Sequence, residues 1–223
     1  MSPRRILLFD LFGVIARPQR PGALAEMAAR CGAPAEAFAD AYWSCREPYD
    51  AARQTAAEYW TTVLRQLARP GDARMVEELR LADVDSWSRV DDRMVAYVRS
   101  RRERGEVALL SNIPADHAEA FLAAQPWLRD LDHLAFSGRI RAAKPDPAAF
   151  HHCVVAMGAA PADFLFVDDR EENVRAAEAL GMHGHLFTGL ADLEAAVDTW
   201  QPARNPAPRV RHFTEPAMAP WTK

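Results

Sequence analysis

The sequence predicts an α/β protein, a Rossmann-like parallel sheet core with a helical cap inserted into it, and three observations predict it. Short, nearly continuous apolar runs recur along the 223-residue chain at residues 6–9, 107–110, 134–136, 164–167 and 185–187. That is the pattern of parallel strands buried on both faces. The segments between them carry apolar residues at the helical period, as crossover connections between parallel strands require. Nearly a hundred residues, from about 16 to 105, hold no strand signal although a crossover needs only about a dozen, so the surplus reads as an insertion.

Taken in order, the first strand ends at Asp10, and after Gly13 the chain enters the insertion, rich in Ala, Arg, Glu and aromatic residues. Met94, Val95 and Val98 make the apolar face of the helix before the second strand. Ala118, Phe121 and Leu122 make that of the helix after it, and Phe150, Val154 and Met157 that of the helix before the fourth strand. Pro114 and Pro147 stand where a first helical turn tolerates proline, and Gly105, Gly158 and Gly181 where helices stop. The expected division is a core of residues 1–16 and 90–200, a cap of residues 17–89, and a Pro-rich tail of residues 201–223. The tail holds five of the 16 prolines and reads as extended or mobile. Trp200 and Trp221 read as covers for the core or for a partner.

Composition narrows the function. With 27 Lys and Arg against 31 Asp and Glu the net charge is -4, so there is no basic footprint for nucleic acid. The apolar run before Asp10 is too short for a signal segment or a membrane span. Cys31, Cys45 and Cys153 are odd in number and widely spaced, which fits a reducing compartment, the cytoplasm by default. Monomer and homodimer both remain open.

Four short segments place polar residues at the carboxyl ends of strands or the starts of helices: FDLFGV around Asp10, LLSN around Ser111, AAKPDP around Lys144 and FVDDREEN around Asp168 and Asp169. In a parallel α/β sheet these ends open on one crevice, so three carboxylates, a hydroxyl and an ammonium are expected to converge there. Crowded carboxylates stay ionised beside a hard cation or a fixed Lys. Mg²⁺ suits such a set together with a substrate phosphate, and Lys144 balances the remaining charge. Ser111 and the amide of Asn112, expected at a helix start, can hold phosphoryl oxygens. A carboxylate facing phosphorus can attack it.

With these segments in view, the chain resembles the haloacid dehalogenase superfamily of hydrolases over its whole length except the tail. FDLFGVI resembles the first motif of that family, the Ser of LLSN the second, the Lys of KPDP the third and VDDREEN the fourth. The resemblance implies that Asp10 is the nucleophile. It implies that Asp10, the backbone carbonyl of Phe12 and Asp169 hold Mg²⁺ with Asp168 assisting, and that Ser111 and Lys144 secure the transferring group. Asp168, Asp169 and Asn173 are similar to the fourth motif of the sugar-phosphate (glucose-1-phosphate-type) phosphatase branch. The implied activity is hydrolysis of a small phosphorylated metabolite.

One position departs from the pattern. Phosphatases of the family usually carry a second Asp two residues after the nucleophile as general acid and base, and here that residue is Phe12. Such assistance is typically worth about 10²- to 10⁴-fold. The dehalogenase branch has an aromatic residue at this place and expels halide, which needs no proton, but its fourth motif resembles Ser-Ser-Asn rather than Asp168-Asp169. The paired carboxylates weigh more, because two adjacent carboxylates beside Asp10 without a cation are costly, whereas a missing acid only slows the reaction. A metal-free attack on carbon by Asp10, with Arg46 at the halide, and a binding or regulatory protein with its chemistry blunted by Phe12 stand as alternatives. Arg46, among Tyr42, Trp43 and Tyr49, is a substrate-binding candidate reaching down from the cap, although a surface Arg on an aromatic-packed helix is the commoner arrangement. His151, His152, His183 and His185 lack closed metal spacing and read as packing or surface.

Overall fold

The computed structural model describes residues 4–201. The tail, with Trp221, lies outside the described residues. Strand β1 (Ile6–Phe9) is followed by five inserted helices: α1 (Ala23–Cys31), α2 (Ala35–Ser44), α3 (Arg46–Asp50), α4 (Ala56–Gln66) and α5 (Ala73–Ser86). The chain then returns through α6 (Asp92–Arg102), β2 (Glu106–Ser111), α7 (Ala115–Ala124), β3 (His133–Phe136), α8 (Ser137–Ile140), α9 (Pro147–Met157), β4 (Phe164–Asp168), α10 (Glu171–Ala179), β5 (His183–Leu186) and α11 (Leu190–Thr199).

The five strands form one parallel sheet in the order β3-β2-β1-β4-β5. The three central strands, β1, β2 and β4, are buried on both faces, and the two-residue alternation sorts their side chains. Leu7, Phe9, Val107, Leu109, Leu165 and Val167 pack on one side with Met94, Val98, Phe121 and Trp200. Ile6, Leu8, Ala108, Leu110, Phe164 and Phe166 pack on the other with Phe150, Cys153 and Met157. Each fully buried Leu, Ile or Phe side chain contributes about 1.5–3 kcal/mol, so this double-sided burial holds the strand ends in fixed register. Phe9 pairs with both Leu109 and Val167, and one step further sets Asp10 beside Asp168 across the β1–β4 switch in strand order, where open α/β sheets bind ligands.

The inserted helices have a core of their own, around Met27, Phe38, Tyr42, Tyr59, Trp60, Val63, Leu64 and Leu79. Thr55 and Glu58 start α4 with a reciprocal capping box, and Asp72 caps α5. The chain leaves and re-enters the core at one place. Ala16 bridges Val90, Arg17 N–H donates to the Arg89 carbonyl at 2.9 Å, and Asp91 N–H donates to the Ile15 carbonyl at 2.9 Å.

Two local expectations need correction. β2 runs through Ser111, which pairs with Phe136, and the next helix begins only at Ala115 behind Pro114. Ser111 and Asn112 are therefore at a strand end and in a loop, not at a helix start, because Pro114 disfavours helical backbone in the residue before it. The fifth strand lies at 183–186 rather than 185–187. It is an edge strand of sequence HGHL, whose half-buried polar residues give no continuous apolar run.

Candidate active site

Three strand-end segments and the loop between α8 and α9 meet at the carboxyl edge of the sheet. Lys144 is buried and its Nζ donates to Asp10 Oδ1 at 2.6 Å and to Asp168 Oδ2 at 2.7 Å. Asp168 also accepts from the Arg170 backbone N–H at 2.9 Å and from Asn173 Nδ2 at 3.0 and 3.1 Å. Burial pushes Asp10 up to about 7 against the opposing pull of Lys144, with the charge of Asp168 adding to the rise. Burial also raises Asp169, helped by Asp168 and opposed by Lys144. Lys144 itself is held above its ordinary value, because Asp10 and Asp168 outweigh the desolvation that would lower it.

Asp10, Asp168 and Asp169 each offer an oxygen within 4.8 Å of the others'. Hard oxygen donors at this spacing suit a small divalent cation. Among the described residues this is the only such group of His, Cys, Asp and Glu, and none of His151, His152, His183 and His185 belongs to one. Gly13 makes the room. It has a φ of 91°, and a Cβ there would lie 2.0 Å from Asp169 Oδ2, so any other residue both strains the backbone and displaces that carboxylate.

The remaining candidates fall into different places. Ser111 is buried, and its Oγ has no hydrogen-bond partner among the described residues, an arrangement that native sites tolerate mainly where a ligand completes it. Asn112 faces the cavity, but its side chain is engaged with the main chain of Lys144: Nδ2 donates to the Lys144 carbonyl at 2.7 Å and Oδ1 accepts from the Lys144 N–H at 2.8 Å. Asn112 thus fixes the loop that carries Lys144. The Phe12 ring is half-buried, in edge contact with Trp87 at 4.8 Å and with Phe121 at 5.8 Å.

Arg46 is not a surface residue. It is buried in the inserted helices, with Nε donating to Asp50 Oδ1 at 2.7 Å and Nη1 to Asp83 Oδ2 at 2.9 Å, and its guanidinium lies over the rings of Tyr42 and Tyr49. Part of it still lines the cavity above Asp10 and Lys144. This cavity of about 240 Å³ has Asp10, Lys144 and Asp169 as its floor, Arg46 and Asp50 opposite, and Phe12, Trp43 and Trp87 at its side.

The same network ties the inserted helices to the core. Asp83 accepts from Tyr42 Oη at 2.8 Å and meets His117 Nε2 of α7 at 3.0 Å. Tyr49 Oη donates to Asp116 at 2.7 Å, and Ser137 Oγ donates to the Asp50 carbonyl at 2.6 Å. Burial works against the charge on Asp83, yet Arg46 and His117 hold it below the usual carboxylate range. Burial raises Asp50 despite Arg46. The sequence reading missed Asp50, Asp83, His117 and Trp87. Asp50 alone had a local signal, its position four residues after Arg46 on the helix.

A family model described as haloacid dehalogenase-like hydrolase matches residues 5–181. The chain belongs to the haloacid dehalogenase-like hydrolase family. Among curated relatives, a sesquiterpene phosphatase of Aspergillus oryzae is 36% identical over 46% of this chain, and a phosphatase of Mycobacterium tuberculosis is 30% identical over 60% of it. The matches span 54% and 61% of those relatives' own lengths, little more than half. Among solved structures, a haloacid dehalogenase family enzyme from Bacteroides thetaiotaomicron in complex with magnesium and inorganic phosphate is similar with a TM-score of 0.67. It has 21% identity and covers 82% of this chain and 93% of that one. The L-2-haloacid dehalogenase of Xanthobacter autotrophicus is similar with a TM-score of 0.60 and 18% identity, covering 90% of this chain and 85% of that one. The hydrolase fold is thus shared with both chemistries, and the choice between them rests on the site itself.

Proposed function

We propose that the protein is a Mg²⁺-dependent phosphohydrolase that acts on a small phosphate ester through a phosphoaspartate on Asp10. The observation that carries this reading is the set of three carboxylates, Asp10, Asp168 and Asp169, with oxygens within 4.8 Å of one another and a single buried ammonium, Lys144, among them. Asp10, Asp169 and the Phe12 carbonyl would hold the ion with Asp168 assisting, and when bound it neutralises phosphoryl charge and orients the ester. The two curated relatives named as phosphatases support the same class, as does the Bacteroides enzyme with magnesium and phosphate.

The chain's own groups do the rest. Asp10 is oriented by Lys144 and attacks phosphorus in line, so that an O–P bond forms to the carboxylate as the ester P–O bond breaks, and the leaving oxygen takes its proton from water because Phe12 has none to give. Ser111 Oγ, unpartnered among the described residues, donates to a phosphoryl oxygen, and Lys144 offsets charge that develops on the transferring group. Water then hydrolyses the phosphoaspartate and returns Asp10. Residues 17–89 serve as the cap, with Arg46 and Asp50 facing the ester from above and excluding bulk water. The three free cysteines suit a reducing compartment, the cytoplasm. No described helix is long and apolar enough to cross a membrane.

Phe12 favours a second reading, attack of Asp10 on carbon with loss of halide. The test separates them. Turnover of an aryl phosphate in Mg²⁺ should vanish on chelation and in Asp10→Asn, while circular dichroism shows the variant folded. Turnover of a 2-haloacid that survives chelation overturns the phosphatase reading, and Mg²⁺ binding with no turnover of either points to a binding protein.

A further inference from the structure

A second cavity adjoins the first. It measures about 230 Å³ and lies in the seam between α5 and α7, lined by Leu81, Val84, Ile113, Phe121 and the small faces of Ala120 and Ala124. Phe12 and Trp87 line both cavities, so this pair of rings, 4.8 Å apart at an interplanar angle of 63°, is the partition between them.

The two cavities differ in chemistry. Charged groups of both signs surround the first. In the second, the buried polar side chain is His117, and both its nitrogens are engaged, Nε2 with Asp83 at 3.0 Å and Nδ1 with Asp116 at 3.4 Å. At the exposed edge lie Ser88, whose Oγ donates to the Asp85 carbonyl at 2.7 Å, and Asp85 itself, the charged residue of this lining, exposed to water. Leu81 is 52% exposed there, a large apolar side chain left in water. A polar ligand finds no unengaged buried partner in this seam, whereas a hydrocarbon removes Leu81, Val84 and the aromatic rings from water.

We infer that the seam cavity is a subsite for the hydrocarbon body of the phosphate ester, reached from Asp10 past the Phe12–Trp87 pair. The ligand class is the phosphate monoester of a chain-like apolar alcohol. The inference rests on the phosphohydrolase reading and deepens it. The sizes agree with it: ligand pockets run roughly 300–1,000 Å³, so each cavity alone falls short and the two joined do not. Phe12 then acts as one wall of a channel that keeps water from the apolar part of the substrate while its phosphate sits over Lys144. Trp87, at the end of α5, is the other wall, half-buried like Phe12 and held by its Nε1 donating to Tyr42 Oη at 3.2 Å.

The test uses the full chain with Mg²⁺ and n-alkyl phosphates of rising length, against sugar phosphates and a short aryl phosphate. kcat/KM should climb by on the order of fourfold per methylene, the value of burying one CH₂, level off once the seam is filled, and stay low for sugar phosphates. Ala120→Phe, which fills the seam, and Leu81→Asp, which charges its mouth, should each collapse the ratio of long-chain to short-chain kcat/KM by ten-fold or more. A flat chain-length profile, or a rising one that neither variant changes, overturns the inference. Calorimetric titration with the corresponding non-hydrolysable alkyl phosphonates reads the subsite without turnover. Chain-length-dependent binding in a protein that hydrolyses nothing would fail the phosphohydrolase reading and keep the subsite, and chain-independent binding would fail the subsite alone.

Discussion

Replacing Asp83 with Asn should cost about 3 kcal/mol of stability. The carboxylate is fully buried and meets four donors within hydrogen-bond reach, Tyr42 Oη at 2.8 Å, Arg46 Nη1 at 2.9 Å, His117 Nε2 at 3.0 Å and, more loosely, Gln19 Nε2 at 3.4 Å. Removing one partner of a buried ion pair typically costs about 3–5 kcal/mol, because the other charge stays buried and uncompensated. Arg46 keeps Asp50 at 2.7 Å, and the Asn carbonyl still accepts from Tyr42, so the low end applies. Urea unfolding followed by circular dichroism measures it as a lower midpoint at unchanged slope. The pH dependence carries a second check. Burial would lower His117, but its hydrogen bonds to Asp116 and Asp83 and the charge of Asp83 lift it above its ordinary value of 6.5. The stability it contributes is therefore complete below about 6.5 and is lost as pH rises through the higher folded value. Asp83, held below 3.8, contributes in the opposite sense, with stability present above that value and lost as pH falls through the depressed one. The gap between wild type and Asp83→Asn should thus be larger at pH 6 than at pH 9. A loss under about 1 kcal/mol, or a gap that widens with pH, refutes the buried network as the link between the inserted helices and the core.

Gly13→Ala should weaken Mg²⁺ binding on the order of tenfold or more while costing about 1–2 kcal/mol for an Ala at positive φ. The added methyl meets the mobile end of Asp169 at 2.0 Å and pushes that carboxylate aside, and unchanged affinity by calorimetry would exclude Asp169 as a ligand. Asn112→Ala frees both ends of its clamp on Lys144 and should lower kcat about 10²-fold, the effect of a misplaced reacting group, with KM nearly kept. A KM effect with kcat intact would show instead that Asn112 binds substrate directly.

What the sequence made legible is what short-range pattern encodes. The strands at 6–9 and 164–167 were readable because a strand buried on both faces is apolar at every position, and the polar residue that ends each run had to emerge at the sheet edge. Lys144 ends no strand and was readable only from the KPDP segment just before α9 and its resemblance to the family's third motif. The Ser111–Asn112 pair misled because Ser and Asn are common helix caps, while β-pairing with Phe136 carries the strand through Ser111. Position 183–186 misled because an edge strand tolerates His and Gly. Arg46 was a candidate from the sequence, but the network joining it to Asp83 and His117 escaped for a different reason. The three sit on α3, α5 and α7, separated by 37 and 34 residues, and no periodicity within one helix reports a contact made by packing three of them together.

The two buried charge clusters can be told apart by their balance. In the seam, Arg46 and His117 face Asp50 and Asp83, so a protonated His117 leaves the set neutral and complete within the protein. At the sheet edge, Lys144 faces Asp10, Asp168 and Asp169, which leaves two negative charges when all three are ionised. A phosphate ester brings about two more, and each pair of like charges about 4 Å apart costs about 4 kcal/mol at the dielectric of a protein surface. The Arg46 cluster therefore needs no charged ligand and serves to hold the inserted helices over the crevice. The floor repels the substrate it is proposed to bind until a divalent cation cancels the excess, which is why metal and phosphate are expected to bind this floor together and the Arg46 network to bind neither.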